Sequence, residues 1–180
     1  MLEALHDYDF SSIVTWCDVV VGHGHLMCSF LATYPHLSGT VFDLPEVIAE
    51  KDQLWAGRLG LEERCRYVVG DMFKEVPGGA DVYSLKMILR DWSDRECLQI
   101  LCTIRRAKPE GRIFIVEHIV PGPSESHFSK LFDIRMMCWG SGRERTEEEY
   151  ASLLEASGWR FVACHYPLHA SMGVVEAVAV

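Results

Sequence analysis

The chain is short of positive charge, of paired cysteines and of long apolar runs, and each shortage closes off a class of function. Among 180 residues, 17 Lys and Arg stand against 26 Asp and Glu, a formal charge of −9. That sign disfavours a phosphate backbone or an anionic membrane surface, so neither nucleic acid nor membrane is an expected partner. No apolar run approaches the ~20 residues that cross a bilayer. Met1-Leu2-Glu3-Ala4-Leu5-His6-Asp7 has neither the basic nor the apolar region of a secretory leader. The seven cysteines are odd in number and scattered, with no C-x-x-C pair, which fits reduced thiols in a cytoplasmic protein. His23, His25 and Cys28 come nearest to a metal-ligand cluster, but no second cluster completes a tetrahedral set, so no metal is expected.

What remains is a composition of 49% hydrophobic and 24% charged residues, enough for one globular domain with a sizeable core. Apolar runs rich in Val, Ile and Phe alternate with segments of helical spacing, the pattern of a parallel sheet covered by helices. Strands are predicted at Ile13 to Val21, Thr40 to Phe42, Arg66 to Val69, Asp81 to Leu85, Arg112 to Val116, Arg160 to His165 and Gly173 to Ala179. Helices are predicted at His25 to Tyr34, Pro45 to Leu59, Asp94 to Ala107, Ser129 to Met137 and Thr146 to Ser157. Thr146 with Glu149 forms a capping-box pattern, Gly158 suits a position just past a helix, and Pro45 suits a first helical turn.

The most informative stretch is Asp18-Val19-Val20-Val21-Gly22-His23-Gly24, a strand that runs into glycines and then a helix. A tight turn there lets backbone N–H groups and a helix N-terminus approach an anionic or nucleotide-like ligand. A second strand ends in Asp43, 19 residues after Gly24 and close to the ~20 expected of an acid that accepts from ribose hydroxyls. Glycine loop and acid together point to an adenosine-type ligand, and alone they would also permit a nicotinamide. Other polar residues fall at the carboxyl ends of predicted strands, where open α/β sheets bind ligands: Asp71 with Met72 and Phe73, Lys86 with Arg90 and Asp91, and Glu117. Each has a structural alternative. Asp71 could cap a turn, Asp91 or Asp94 the next helix, and Glu117 could simply end a strand.

Five motifs carry a resemblance that spans nearly the whole chain: Val41-Phe42-Asp43-Leu44-Pro45, Gly70-Asp71-Met72-Phe73, Leu85-Lys86-Met87-Ile88-Leu89-Arg90-Asp91-Trp92, Glu117-His118-Ile119-Val120-Pro121 and Gly142-Arg143-Glu144-Arg145-Thr146. They resemble the methyltransferase domain of the S-adenosylmethionine-dependent O-methyltransferases of the plant caffeate and acetylserotonin type and their bacterial relatives. The resemblance implies a Rossmann-like, doubly wound, seven-stranded α/β sheet of the class I methyltransferases with its last strand antiparallel. It implies S-adenosylmethionine lying across Val20, Gly22, Gly24, Asp43, Leu44, Asp71, Met72 and Lys86. Asp43 would take the ribose hydroxyls, Asp71 the adenine amine beside the apolar wall of Met72 and Phe73, and Lys86 the methionine end. The acceptor would be a small hydroxylated aromatic or polyketide-like molecule, met by Met136, Met137 and Trp92. Position 90 would hold the catalytic base, oriented by Glu117 and Glu144.

Three departures from the family pattern qualify that expectation. The base position is Arg90, whose guanidinium has no acceptor lone pair and stays charged at neutral pH. Val20 and Val21 stand where the family has glycines. Residues 1–12 resemble only the link from an N-terminal helical domain through which the family forms homodimers, with residues 13–180 as the methyltransferase domain. Two readings therefore stand beside each other, an O-methyltransferase that works without a histidine base and a weakened or inactive homologue.

Overall fold

The computed structural model describes residues 1–20, 22–50, 54–136, 138, 142–169 and 171–180. A seven-stranded sheet runs through the molecule in the order β3 (Cys65–Val69), β2 (Ser38–Asp43), β1 (Thr15–Val19), β4 (Val82–Lys86), β5 (Arg112–Glu117), β9 (Gly173–Ala179) and β8 (Trp159–His165). The first five are parallel, and β9 is antiparallel to both its neighbours. This is the expected class I arrangement, with the order reversing between β1 and β4.

Alternation along the strands sends side chains to two cores. Cys17, Val19, Tyr83, Leu85, Ile113 and Ile115 face one side, with Cys97, Ile100, Leu101 and Ile104 of α4 (Asp94–Ala107) and Tyr150, Leu153 and Leu154 of α6 (Glu147–Ala156). Trp16, Val82, Phe114 and Val116 face the other, with Met27, Cys28, Phe30 and Leu31 of α1 (His25–Thr33) and Ala56 of α3 (Trp55–Leu59). Leu5 and Phe10 from the amino-terminal segment are buried in that second core. The period of two in each strand meets a period near four in each helix, which is what closes a three-layer sandwich.

Two helix starts are fixed by reciprocal capping. Thr146 accepts from the Glu149 N–H while Glu149 accepts from the Thr146 N–H, as the sequence pattern implies. Ser93 and Glu96 do the same for α4, so neither Asp91 nor Asp94 is that helix's cap. Several boundaries differ from expectation. β1 begins at Thr15, not Ile13, and Val21 lies outside the described residues. The helix expected over Pro45 to Leu59 is described as two short pieces, α2 (Pro45–Ile48) and α3, with extended Leu54 at the start of the second and residues 51–53 outside the described residues. A 3-10 turn at Leu89–Asp91 and a two-stranded parallel pair, β6 (Ile119–Val120) with β7 (Arg145–Thr146), were not apparent in the sequence pattern. Both are too short for periodicity to register. Among the described residues no helix is long and apolar enough to cross a membrane.

Candidate active site

At the carboxyl end of β1 the backbone turns left-handed three times, at Val20 (φ 57), Gly22 (φ 69) and Gly24 (φ 87). Only glycine adopts this region without cost, so Val20 carries strain of roughly 1–2 kcal/mol. Its N–H donates to Phe42 O (2.7 Å), which holds the loop against β2. Gly24 is required on two counts, since a Cβ there would lie 2.8 Å from Val41 Cγ2 and 2.9 Å from Tyr67 Oη. A Cβ at Gly22 would meet nothing within 4 Å. The loop is thus tight at Gly24 and open at Gly22, the shape that lets a ligand come up to backbone N–H groups.

Asp43, at the end of β2, is buried, and its two carboxylate oxygens accept from Gly22 N–H (2.8 Å) and Leu44 N–H (2.7 Å). An ionised carboxylate has about four lone-pair sites, so two stay available for hydroxyl donors. Asp71 accepts from Phe73 N–H (3.0 Å) and pairs with Lys74 (3.1 Å), which holds its carboxyl below the usual carboxylate range through the Phe73 bond first and Lys74 second. Its role as a turn cap is therefore real and coexists with free acceptor capacity. Met72 is buried beside it, and Leu44 is exposed. Lys86 ends β4 and lines a cavity of about 570 Å³ with Val20, His25, Leu26, Ser29 and Met87. Below the loop, Asp18 is fully buried and accepts from Ser84 Oγ, which itself accepts from Trp16 Nε1 (2.8 Å). Burial pushes the Asp18 carboxyl up to about 7.

The three residues expected to form the acceptor-side chemistry do converge. Arg90, on the 3-10 turn, is buried; its Nη1 lies 3.0 Å from Glu144 Oε1, though without hydrogen-bond alignment, so the contact is a charge pairing. Nη2 reaches Met136 Sδ (2.8 Å), and the guanidinium sits 5.2 Å from the centre of the Phe132 ring. Glu117, at the end of β5, accepts from Arg90 N–H (3.4 Å) and is fully buried. Burial, then the neighbouring Glu144, pushes the Glu117 carboxyl up to about 8. Burial likewise pushes Glu144 up to about 7 against the lowering effect of Arg90. Both shifts favour the protonated acid, so the buried cluster resists holding two carboxylate charges beside one guanidinium.

Of the expected acceptor-facing residues, Met136 lines a cavity of about 190 Å³ with Met87, Arg90, Asp91, Phe132 and Arg135. Met137 lies outside the described residues. Trp92 does not line that cavity; its ring packs edge-on against Phe73 (4.8 Å). His23 pairs with Glu50 (2.7 Å), His25 packs on Trp55, and Cys28 Sγ lies 3.9 Å from Cys65 Sγ. These three side chains point to three different neighbours. Among the described residues no group of three or more His, Cys, Asp or Glu could hold a metal ion.

Sequence reasoning missed Arg145. This guanidinium is wholly buried and donates to Leu89 O (2.8 Å), Trp92 O (2.9 Å) and Asp94 Oδ1 (2.7 Å). It clamps the turn that presents Arg90. The adjoining Gly142 lets that segment close in, since a Cβ there would lie 2.6 Å from Arg90 O. Arg145 sits inside a quoted motif, but its partners are more than 50 residues away in sequence, so no local signal reveals the job.

A left-handed glycine loop, an acid at the end of the second strand and polar groups on the neighbouring strand ends define a nucleotide-cofactor α/β protein with a second, charged pocket beside the cofactor region. The O-methyltransferase domain family matches residues 1–160, and the chain belongs to it. It is 37% identical over 171 residues to phenazine O-methyltransferase PhzM of Lysobacter antibioticus, covering 94% of this chain and 50% of the relative. It superposes on CalO1, a methyltransferase in calicheamicin biosynthesis with S-adenosylhomocysteine bound, at a TM-score of 0.90 and 32% identity, covering 99% of this chain and 53% of that one. With NcsB1 from neocarzinostatin biosynthesis, holding S-adenosylhomocysteine and 1,4-dihydroxy-2-naphthoic acid, the TM-score is 0.85 at 29% identity over 96% of this chain and 51% of that one. The chain thus spans about half the length of the relatives it matches.

Proposed function

We propose that the chain transfers a methyl group from S-adenosylmethionine to a hydroxyl of a small aromatic or polyketide-like acceptor. The observation that carries this is the convergence, at the carboxyl ends of β1 to β5, of an open glycine loop, a buried acid with spare lone pairs and a separate pocket built around Arg90. When bound, the cofactor supplies an electrophilic methyl group on a sulfonium. Asp43 would accept from the ribose hydroxyls while it holds the loop through Gly22 and Leu44. Asp71 would accept from the adenine amine, with Met72 as an apolar wall, and Lys86 would pair with the methionine carboxylate. Val20 would border the methionine end. A nicotinamide would use the loop and Asp43 but leaves Asp71, Met72 and Lys86 without a task.

On the acceptor side, Arg90 would lower the pKa of a bound hydroxyl by placing a positive charge nearby, with Glu144 and Glu117 holding the guanidinium in place. Met136 would form an apolar side of the same pocket. Relatives named for phenazine, and one solved with a dihydroxynaphthoic acid, support a planar hydroxylated acceptor. The same reading extends to residues 1–12 as a link, to a homodimer made through a further domain and to a cytoplasmic setting consistent with seven free cysteines. The test is calorimetric titration of S-adenosylmethionine and S-adenosylhomocysteine. Micromolar binding is the expected result, and absence of heat with a folded protein overturns the proposal.

A further inference from the structure

With Arg90 unable to accept a proton, the proton of the acceptor hydroxyl needs another destination. We propose that Asp91 is that destination: its carboxylate is the general base of this chain, taking the proton of a phenolic acceptor seated in the Arg90 pocket. This deepens the proposed methyl transfer and rests on it.

The geometry singles out Asp91 in three ways. First, the backbone of its turn is pinned from several sides: Arg145 donates to Leu89 O and Trp92 O, Arg143 N–H donates to Arg90 O (2.8 Å), and Arg90 N–H donates to Glu117. Second, the Asp91 side chain is 58% exposed, lines the 190 Å³ cavity and, beyond a 4.0 Å ion pair with Arg90, makes no hydrogen bond among the described residues. A fixed backbone with a solvent-reachable carboxylate free of hydrogen bonds is what a positioned base requires. Third, the neighbouring carboxylates are committed or shut away. Glu117 and Glu144 are buried and do not line the cavity, and Asp133 on α5 (Ser129–Met136) accepts from Glu144 N–H (3.0 Å). Arg90 Nε lies 4.0 Å from Asp91 Oδ1, close enough to stabilise phenolate charge as it develops beside the carboxylate.

The charged groups that bear on Asp91 are Arg90 on its own turn, Arg135 of α5 across the shared cavity, and Glu144 before β7. Burial raises the Asp91 carboxyl and Arg90 lowers it, with burial the larger, which makes it a stronger base than a surface aspartate. In the reaction the hydroxyl proton passes to an Asp91 oxygen and the hydroxyl oxygen forms the new O–CH3 bond. The donor's C–S bond breaks with its electron pair left on sulfur. The exposed carboxylic acid then returns its proton to water.

The test compares the unmodified chain with Asp91→Asn and Asp91→Glu on phenols and naphthols of graded acidity, from pH 5 to 10. Asp91→Asn is expected to lower kcat on weakly acidic phenols about 100-fold or more, with the KM for S-adenosylmethionine unchanged. The loss should shrink towards unity for nitrophenols that are already ionised, and Asp91→Glu should recover part of the rate. A merely structural role would cost all acceptors alike; that pattern, or a loss under threefold, overturns the proposal. A second readout needs no turnover: the absorbance of bound 4-nitrophenol titrated in each variant. Removing the carboxylate beside Arg90 should lower the apparent pKa of the bound nitrophenol by about a unit. An unmoved pKa, or no nitrophenol bound at millimolar concentration, counts against Asp91. Failure to bind S-adenosylmethionine would instead overturn the methyl-transfer reading, and the nitrophenol titration would still report on Asp91.

Discussion

The two halves of the site depart from the family pattern in different currencies. On the cofactor side the departure is conformational: Val20 holds a left-handed backbone meant for glycine, yet the loop keeps its hydrogen bonds to Phe42 and Asp43. On the acceptor side the backbone is unremarkable at position 90 and the departure is chemical, a permanent cation where a proton acceptor is expected. Strain of ~1–2 kcal/mol can be offset by packing elsewhere, because Val20 lies against a large core. A missing lone pair cannot be offset; the proton must go to another atom. The comparison teaches that a loop can be judged by its energy, whereas a catalytic turn must be judged by its protonation states.

The largest expected effect is on the acceptor side. Arg90→Met leaves Glu144 buried without its cation and should destabilise the fold by about 3–5 kcal/mol at pH 8.5, as read by urea unfolding. The loss should shrink at pH 5, where Glu144 takes up a proton. Equal losses at both pH values would show that Arg90 contributes packing and not charge. Next comes Gly24→Ala. Its left-handed φ and its contacts with Val41 and Tyr67 should together cost about 2–4 kcal/mol and weaken S-adenosylmethionine binding more than tenfold. Full retention of both would mean that the loop opens more easily than the packing implies.

Glu117→Gln sharpens the acceptor side by sign. The folded-state carboxyl is raised from 4.5 to about 8, so its contribution to stability is fully present below pH 4.5 and is lost as pH rises through 8. The glutamine variant should therefore match the unmodified chain near pH 4 and exceed it at pH 9 by on the order of 1–3 kcal/mol. The smallest effect belongs to Val20→Gly. It relieves left-handed strain but adds unfolded-state freedom and deletes a side chain from the core edge. The net change in stability should be under about 1 kcal/mol, while cofactor affinity rises severalfold in calorimetry. A fall in affinity would show that the valine side chain aids binding.

Much of this arrangement could be read from the chain itself. Near-continuous apolar runs in β4 and β5, which are buried on both faces, and the helical spacing of Cys97, Ile100, Leu101 and Ile104 announced strand and helix types, because burial imposes those patterns directly. The glycine loop, Asp43, Asp71, Lys86 and Glu117 drew notice because residues at strand ends carry local signals, and the family motifs added Glu144. Trp92 packs on Phe73 and does not line the Arg90 cavity, and sequence adjacency to Arg90 could not show this because it says nothing about which way a side chain turns after a 3-10 turn.

The sequence by itself thus determined the layers, the strand ends that could bind a cofactor and the impossibility of a histidine-type base at position 90, since each follows from residue type and local period. Only the tertiary structure decided that Arg90 pairs with Glu144, that Arg145 clamps the turn from across the fold and that the Asp91 carboxylate is left without a hydrogen bond beside the pocket. Those outcomes depend on contacts between residues 27 to 56 positions apart and on desolvation, and both come into being only when the chain packs.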